Sequence, residues 1–386
     1  MEQETTLGYN PRDSKINSIQ VLRGIAALIV TIYHLKDVIR EGDPFKKELD
    51  FLFNSGPAGV DLFFVISGFI MVYITRHTSG SVTGVGQFII KRFIRIWPAY
   101  AVITVIYFVL QHRIAPDQAP LNELILSMVF IPASAEAPPF YGYATLPVGW
   151  SLNYEIYFYL VIAISLCFSK FRWYAFFILS GTTLILVPLA YGNFTLKPDH
   201  AVGYGSAYLN MITNPIICNF ISGVIIGLIY YNGALSRAFS AFFSKKWLVA
   251  TCIGLALWQY LSGFFGGLGP LQWGVGSALL FTSFIFHTKG RITRFPNWLV
   301  RLGDISFSIY LIHLPVMVAI SYVFNKVGYP LYSSGTAMFF LSLSMTLIFS
   351  HISYEYLEIR LSNYLKSYFS FQKPAKISAG SKSELI

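Results

Sequence analysis

Near the start of the chain, in IQVLRGIAALIVTIYHL (19–35), an arginine and a histidine stand eleven residues apart in a stretch otherwise almost free of polar groups. An imidazole can take a proton from a hydroxyl near neutral pH, and a guanidinium offers a planar fork of donors to a carboxylate or phosphate. On a helix that interval turns through about 1100°, some 20° past three full turns. Arg23 and His34 therefore project from one face, about 16 Å apart along the axis. Intramembrane ionisable groups are expensive and are functional by default, whereas taken alone Arg23 could snorkel to the headgroups and His34 could mark an interface.

Other segments add polar groups at matching places. GPAGVDLFFVISGFIM puts Asp61 in the outer part of a second helix near the depth of His34, where a carboxylate would orient the imidazole and stabilise its protonated form. PVGWSLNYEIYFYL places Glu155 one turn after Ser151, in the same outer half. FIIKRFIRIWPAY sets Arg92 and Arg95 three apart on one face, a pair suited to phosphate, with Pro98 expected to let the helix redirect. An ordinary headgroup anchor explains such a pair as well. In RLGDISFSIYLIHLPV the residues Ser306, Tyr310 and His313 follow at intervals of four and three, one stripe that suggests a lined cavity with His313 at mid-depth. HISYEYLEIRLS puts His351, Tyr354 and Glu358 on a common face, which an interfacial cluster with Arg360 would explain equally well. Gly59, Gly68 and Ser67 are expected to serve close helix packing.

These residues must be carried by membrane helices. Hydrophobic residues make up 55% of the 386 and charged residues 12%, against about a quarter in soluble globular proteins. Apolar stretches of near-spanning length lie at roughly 17–36, 57–75, 97–112, 148–168, 173–191, 209–231, 247–264, 268–287, 303–325 and 334–357. The run at 121–133 is too short to cross and reads as re-entrant or interfacial. With both termini cytoplasmic, twenty Lys and Arg fall in inside segments and seven in outside ones. Counting 121–133 as a span would put the basic loops at 237–246 and 289–301 outside. The expected architecture is all-α: a polytopic membrane helix bundle of about ten transmembrane helices. Residues 1–16 would form a polar cytoplasmic tail, 17–360 the membrane domain, and 361–386 a disordered cytoplasmic tail.

The polar first sixteen residues show no cleavable leader, so the first span is expected to remain in the mature protein. Cys167, Cys218 and Cys252 have neither disulfide nor metal spacing and are expected to be packing residues, with no metal site. The net charge of +10 resides in cytoplasmic loops facing anionic lipid. A nucleic-acid partner would need a soluble basic domain, and none is seen.

Five of these stretches occur together and in order over about 17–360: LRGIAALIVTIYH, GVDLFFVISGF, RFIRIWPAY, WSLNYEIYFYL and LGDISFSIYLIH. In this the chain resembles the acyltransferase 3 family of integral membrane acyltransferases, which includes bacterial O-antigen and exopolysaccharide O-acetylases. The family's terminal Glu-x-Pro appears here as LEIR, without the proline. The resemblance implies transfer of an acyl group, usually acetyl, from cytoplasmic acyl-coenzyme A to a sugar hydroxyl on the outer side of the bacterial inner membrane. Arg92 and Arg95 would hold the coenzyme A phosphates, with Arg23 at the inner mouth. His34, oriented by Asp61, would be the base or an acyl carrier, and Glu155 and His313 would line the site. Ser151 and Tyr310 would contact substrate, and the aromatic segment PPFYGYATLPVGW, ending in Trp150, could stack on sugar rings or form an interfacial belt. Direct transfer and an acyl-His34 route both fit. A secondary transporter or flippase of a glycan-related substrate would also have polar groups at mid-depth, but carriers usually carry an internal repeat, and 17–191 shows no similarity to 209–357.

Overall fold

A computed structural model describes residues 11–115, 120–291 and 293–369, and these contain helices and loops but no strand. The N-terminal helix α1 (Pro11–Leu35) opens on a proline, whose missing N–H costs nothing in a first turn. It is followed by the short outer α2 (Lys46–Phe53), then α3 (Ala58–Thr75) and α4 (Val82–Ile114). Pro98 lies inside α4, so the expected redirection is replaced by one helix of 33 residues that carries Arg92 and Arg95. The run at 121–133 supplies only α5 (Leu121–Met128), in keeping with a segment too short to cross.

Next come α6 (Trp150–Leu166), α7 (Arg172–Gly181) and α8 (Val187–Ala190), the last two joined by a π-helical turn. The middle of the chain contains α9 (Ala207–Ile212), α10 (Cys218–Tyr231), α11 (Gly233–Phe242), α12 (Lys246–Ser262) and α13 (Trp273–Thr288). It closes with α14 (Asn297–Asp304), α15 (Ser306–Lys326), α16 (Thr336–Ser353) and α17 (Ser362–Tyr368). Between α16 and α17 the residues Tyr354–Leu361 are π-helical. The start of the expected C-terminal tail is thus helix packed on α4, and 370–386 lie outside the described residues. So do residues 1–10 of the expected N-terminal tail, and from Pro11 the chain is helical.

Among the described residues, seven helical stretches are long and apolar enough to cross a membrane, or eight if the bent pair α11–α12, which turns by 85°, counts as one. The expected spans at 148–168, 247–264 and 268–287 are helices of 17, 17 and 16 residues, shorter than the seven. The outward faces are those of a membrane protein. On α4, Val102, Val105, Ile106 and Val109 are exposed, as are Leu255, Leu257 and Trp258 on α12. Such unbroken apolar surface is stable against lipid and not against water.

Glycines bring the inner helices together. Gly68 of α3 lies against Gly223 of α10, and a Cβ on Gly223 would strike the Val65 carbonyl. A Cβ on Gly59 would come within 2.6 Å of the Ala26 carbonyl of α1. One side of α3 (Val65, Gly68, Val72) therefore meets α10, while Gly59 faces α1. The packing expected of Gly59 and Gly68 is observed. Gly223→Val, which forces backbones apart, should destabilise the fold by about 2 kcal/mol or more, read as a lower unfolding midpoint in detergent. Gly181→Ala, with nothing within 4 Å of the new methyl and helical backbone angles, should not lower that midpoint.

Candidate active site

Where α1, α3, α4, α6 and α15 converge they enclose a cavity of about 170 Å³. Its walls follow from helical stripes. Along α3 it is lined from Val60 to Met71, eleven residues or about 16 Å of helix. On α6 the lining residues Ser151, Glu155 and Tyr159 recur every four residues. Arg23, Arg92 and Arg95 contribute three guanidinium groups, and Phe63, Phe64 and Phe307 supply apolar wall. Gly149 permits close approach here, since a Cβ would meet the Tyr100 hydroxyl at 2.7 Å.

Each guanidinium is held differently. Arg95 Nη1 lies 2.8 Å from Glu358 Oε2, and that carboxylate is completely buried. Ser308 Oγ donates to the other oxygen of Glu358 at 2.6 Å. Arg23 donates to Gln20 Oε1 at 3.2 Å, and Gln20 in turn donates to Asp304 Oδ1 at 3.1 Å. Burial pushes the Asp304 carboxyl above its ordinary value against the pull of Arg301, Arg23 and Arg95. Arg92 Nε is buried and has no hydrogen-bond partner among the described residues.

Glu155 belongs with these arginines. It accepts from Ser67 Oγ at 2.8 Å and from the Tyr159 hydroxyl at 2.5 Å, and it lines the same cavity as Arg23 and Arg92. The sequence placed it at the depth of His34. It lies one turn further along α6 than Ser151, and it is Ser151 that faces α15. Ser67, expected only to pack, is a cavity residue that anchors this carboxylate.

At the other end of the cavity Ser151 Oγ and the Tyr310 hydroxyl lie 2.8 Å apart, and both can donate to the Val148 carbonyl, at 3.1 and 3.0 Å. One turn beyond Tyr310 stands His313, fully buried, with its Nε2 3.1 Å from His34 Nδ1. The two rings are tilted by 30° with centroids 5.1 Å apart. His34 also meets Tyr33 edge-on at 5.1 Å. Burial raises the Tyr143 phenol above its ordinary value, and the neighbouring Tyr33 phenol adds to the effect. Tyr143 stacks on Phe140 at 4.8 Å, and Trp150 supports Phe140 edge-on at 4.9 Å. Trp150 is itself buried behind this stack and does not line the cavity.

The expected pairing of Asp61 with His34 does not form. Asp61 Oδ1 accepts from the Asn219 side-chain amide of α10 and from the Gly269 N–H at 3.0 Å. Asp61, Val65, Gly68 and Val72 follow at intervals of four, three and four, so the stripe that packs on α10 carries the carboxylate with it. Ser306 is buried away from the cavity, so of its stripe Tyr310 lines the wall and His313 continues it. Glu358 pairs with Arg95, while Arg301 takes Glu355 at 2.8 Å and His351 at 3.1 Å. Tyr159 escaped the sequence reading although its position four after Glu155 marks the same face.

The acyltransferase-domain sequence model matches residues 16–355. This chain belongs to the acyltransferase 3 family. Over 272 residues it is 32% identical to the exopolysaccharide production protein ExoZ of Rhizobium meliloti, covering 68% of this chain and 76% of ExoZ. It is 23% identical over 372 residues to a Staphylococcus aureus protein named "Putative O-acetyltransferase SACOL0978", covering 89% of this chain but 56% of that longer protein. It is also 26% identical over 339 residues to nodulation protein 10 of Rhizobium leguminosarum, covering 80% of this chain and 85% of that one. No solved structure matches. The family member described here is an acyltransferase built as a multi-span membrane protein.

Removing the Glu358 carboxylate would leave Arg95 without its counter-ion and Ser308 with only Ser353 Oγ as acceptor. Glu358→Ala should therefore cost about 3 kcal/mol of stability, read as a lowered unfolding midpoint in detergent. Replacing both members together, Arg95→Leu with Glu358→Leu, should recover most of that loss.

Proposed function

We propose that this protein is a membrane O-acyltransferase that moves an acyl group, acetyl in the first instance, from cytoplasmic acyl-coenzyme A to a sugar hydroxyl of a cell-surface or lipid-linked polysaccharide. The observation that carries this reading is a cavity that links three guanidinium groups to the Ser151–Tyr310 hydroxyls, beside which the two imidazoles lie. The names of the relatives, an exopolysaccharide production protein and an O-acetyltransferase, support a sugar acceptor and an acetyl donor. In this reading the chain crosses the bacterial inner membrane ten times with both ends cytoplasmic, so Arg23 faces the cytoplasm and His34 the exterior. The three shorter helices would supply the remaining spans, and the excess of Lys and Arg in alternate loops supports the orientation.

Arg92, Arg95 and Arg23 receive the phosphates of coenzyme A, which guanidinium groups bind through paired charge-assisted hydrogen bonds. The pantetheine arm follows the Phe63–Phe307 wall, and the thioester carbonyl accepts from the Ser151 or Tyr310 hydroxyl. The acceptor O–H gives its proton to His34 as its oxygen bonds to the carbonyl carbon. The C–S bond then breaks, and the coenzyme A thiolate leaves with a proton returned by His34. Transfer is direct, and Tyr33, Phe140 and Tyr143 provide the stacking surface for the sugar.

The test is transfer of label from radiolabelled acetyl-coenzyme A by purified protein, with and without a cell-surface glycan fraction. Acceptor-dependent release of coenzyme A is expected, with at least a ~100-fold loss in His34→Ala. Arg95→Lys should raise the KM for acetyl-coenzyme A about tenfold with a smaller change in kcat, because an ammonium cannot reproduce the fork. Tyr143→Ala should raise the acceptor KM alone. Stable label on the protein in the absence of acceptor would replace direct transfer by an acyl-enzyme route. Accumulation of glycan in vesicles without acyl-coenzyme A would replace the enzyme by a carrier.

A further inference from the structure

The carbonyls that face the two imidazoles determine where their protons are. His313 Nδ1 lies 3.1 Å from the Ile309 carbonyl, and a carbonyl only accepts, so this nitrogen carries the hydrogen. His313 Nε2 is then a lone pair when the ring is neutral. His34 Nδ1 lies 3.0 Å from the Val30 carbonyl and 3.1 Å from that lone pair, so it too must carry a hydrogen. One basic atom remains uncommitted in the pair, His34 Nε2.

We propose that His313 is the positioning residue of His34: a neutral imidazole that shares the His34 Nδ1–H with the Val30 carbonyl, fixes the ring, and leaves Nε2 as the atom that takes the acceptor's proton. The proposal rests on His34 being the base of the acyl transfer. In it His313 fills the place that the sequence assigned to Asp61. The carboxylate nearest along the helix, Asp37, lies beyond the end of α1, is largely exposed and pairs with Lys36 at 3.4 Å. Tyr33 and Tyr310 are the other titratable groups whose rings meet this pair. A histidine acceptor suits the fully buried place that His313 occupies, because no ion has to be desolvated while the enzyme waits for substrate. When His34 becomes an imidazolium, its Nδ1–H bond to His313 becomes charge-assisted, so His313 acts most strongly after the proton has moved. The effect therefore falls on kcat.

The experiment compares full-length protein in detergent with His313→Leu, which removes the acceptor, and His313→Gln, whose amide oxygen replaces it. His313→Leu should lower kcat about 100-fold, with the KM for acetyl-coenzyme A within about threefold of wild type. His313→Gln should recover at least tenfold of that loss. Nitrogen-15 spectra of histidine-labelled protein, with His34 assigned by its disappearance in His34→Gln, should show Nδ1 protonated and Nε2 unprotonated in the resting enzyme. The proposal is overturned by a folded His313→Leu with wild-type kcat, by His313→Gln no better than His313→Leu, or by a resting His34 protonated at Nε2. The spectra need no turnover. An inactive wild type would overturn the acyl-transfer reading, whereas a wrong proton position in an active enzyme would overturn only the role of His313.

Discussion

An ionisable side chain placed in a low-dielectric helix bundle must find a partner, and this requirement organises the protein more than any other interaction. Arg95 has Glu358, Glu155 has Ser67 and Tyr159, Asp61 has Asn219 and Gly269, and His34 has His313. Every pair but Glu155 with Tyr159 joins two different parts of the bundle. The same contacts that make the polar residues tolerable thus tie α1 to α15, α3 to α6 and α10, and α4 to the π-helical turn after α16. Where the partners are arranged with space between them, as among Arg23, Arg92, Glu155 and Tyr310, a cavity remains.

The apolar packing around these pairs sets their precision. Gly59 lets α3 approach α1, and Gly68 with Gly223 lets it approach α10, so α3 is clamped on both sides while its third face lines the cavity. In lipid no hydrophobic force holds helices together, and close backbone contact of this kind takes its place. The π-helical turn at Tyr354–Leu361 has a related effect. By widening the helix locally it brings Glu358 against Arg95 and Ser308, whereas Glu355, three residues earlier, pairs with Arg301. Such turns are frequent where a helix must aim a functional side chain.

Much of this was legible in the sequence, and the limit is informative. Each of the ten apolar stretches contains helix, and the stripe joining Arg23 to His34 survives because helical periodicity relates residues on a single helix reliably. What periodicity cannot supply is the neighbour that a stripe faces. Asp61 was placed at the depth of His34, and its pairing failed because the Gly68 stripe turns it toward α10. The sequence puts Glu155 in the same outer half as His34, while its four-residue relation to Tyr159 carries it toward the arginines. The partner that His34 does have is 279 residues away in the chain. Its own stripe, Tyr310 followed by His313, was visible, yet nothing local connects the two histidines.

The helix that carries both Arg23 and His34 also explains why so much of the site can be rigid. Eleven residues of α1 set Arg23 and His34 about 16 Å apart along the helix axis by helical rise. On α15, Phe307, Tyr310 and His313 repeat every three residues alongside it, two of them lining the cavity and the third meeting His34. A donor held at one end of such a ruler presents its reactive group at the other, and no loop needs to close to set the distance. On the proposed reaction, a donor whose arm does not match the ruler would bind at the arginines and yet miss the base. Choice of donor would then lie in the rise of two helices, while choice of acceptor is left to the aromatic segment outside them.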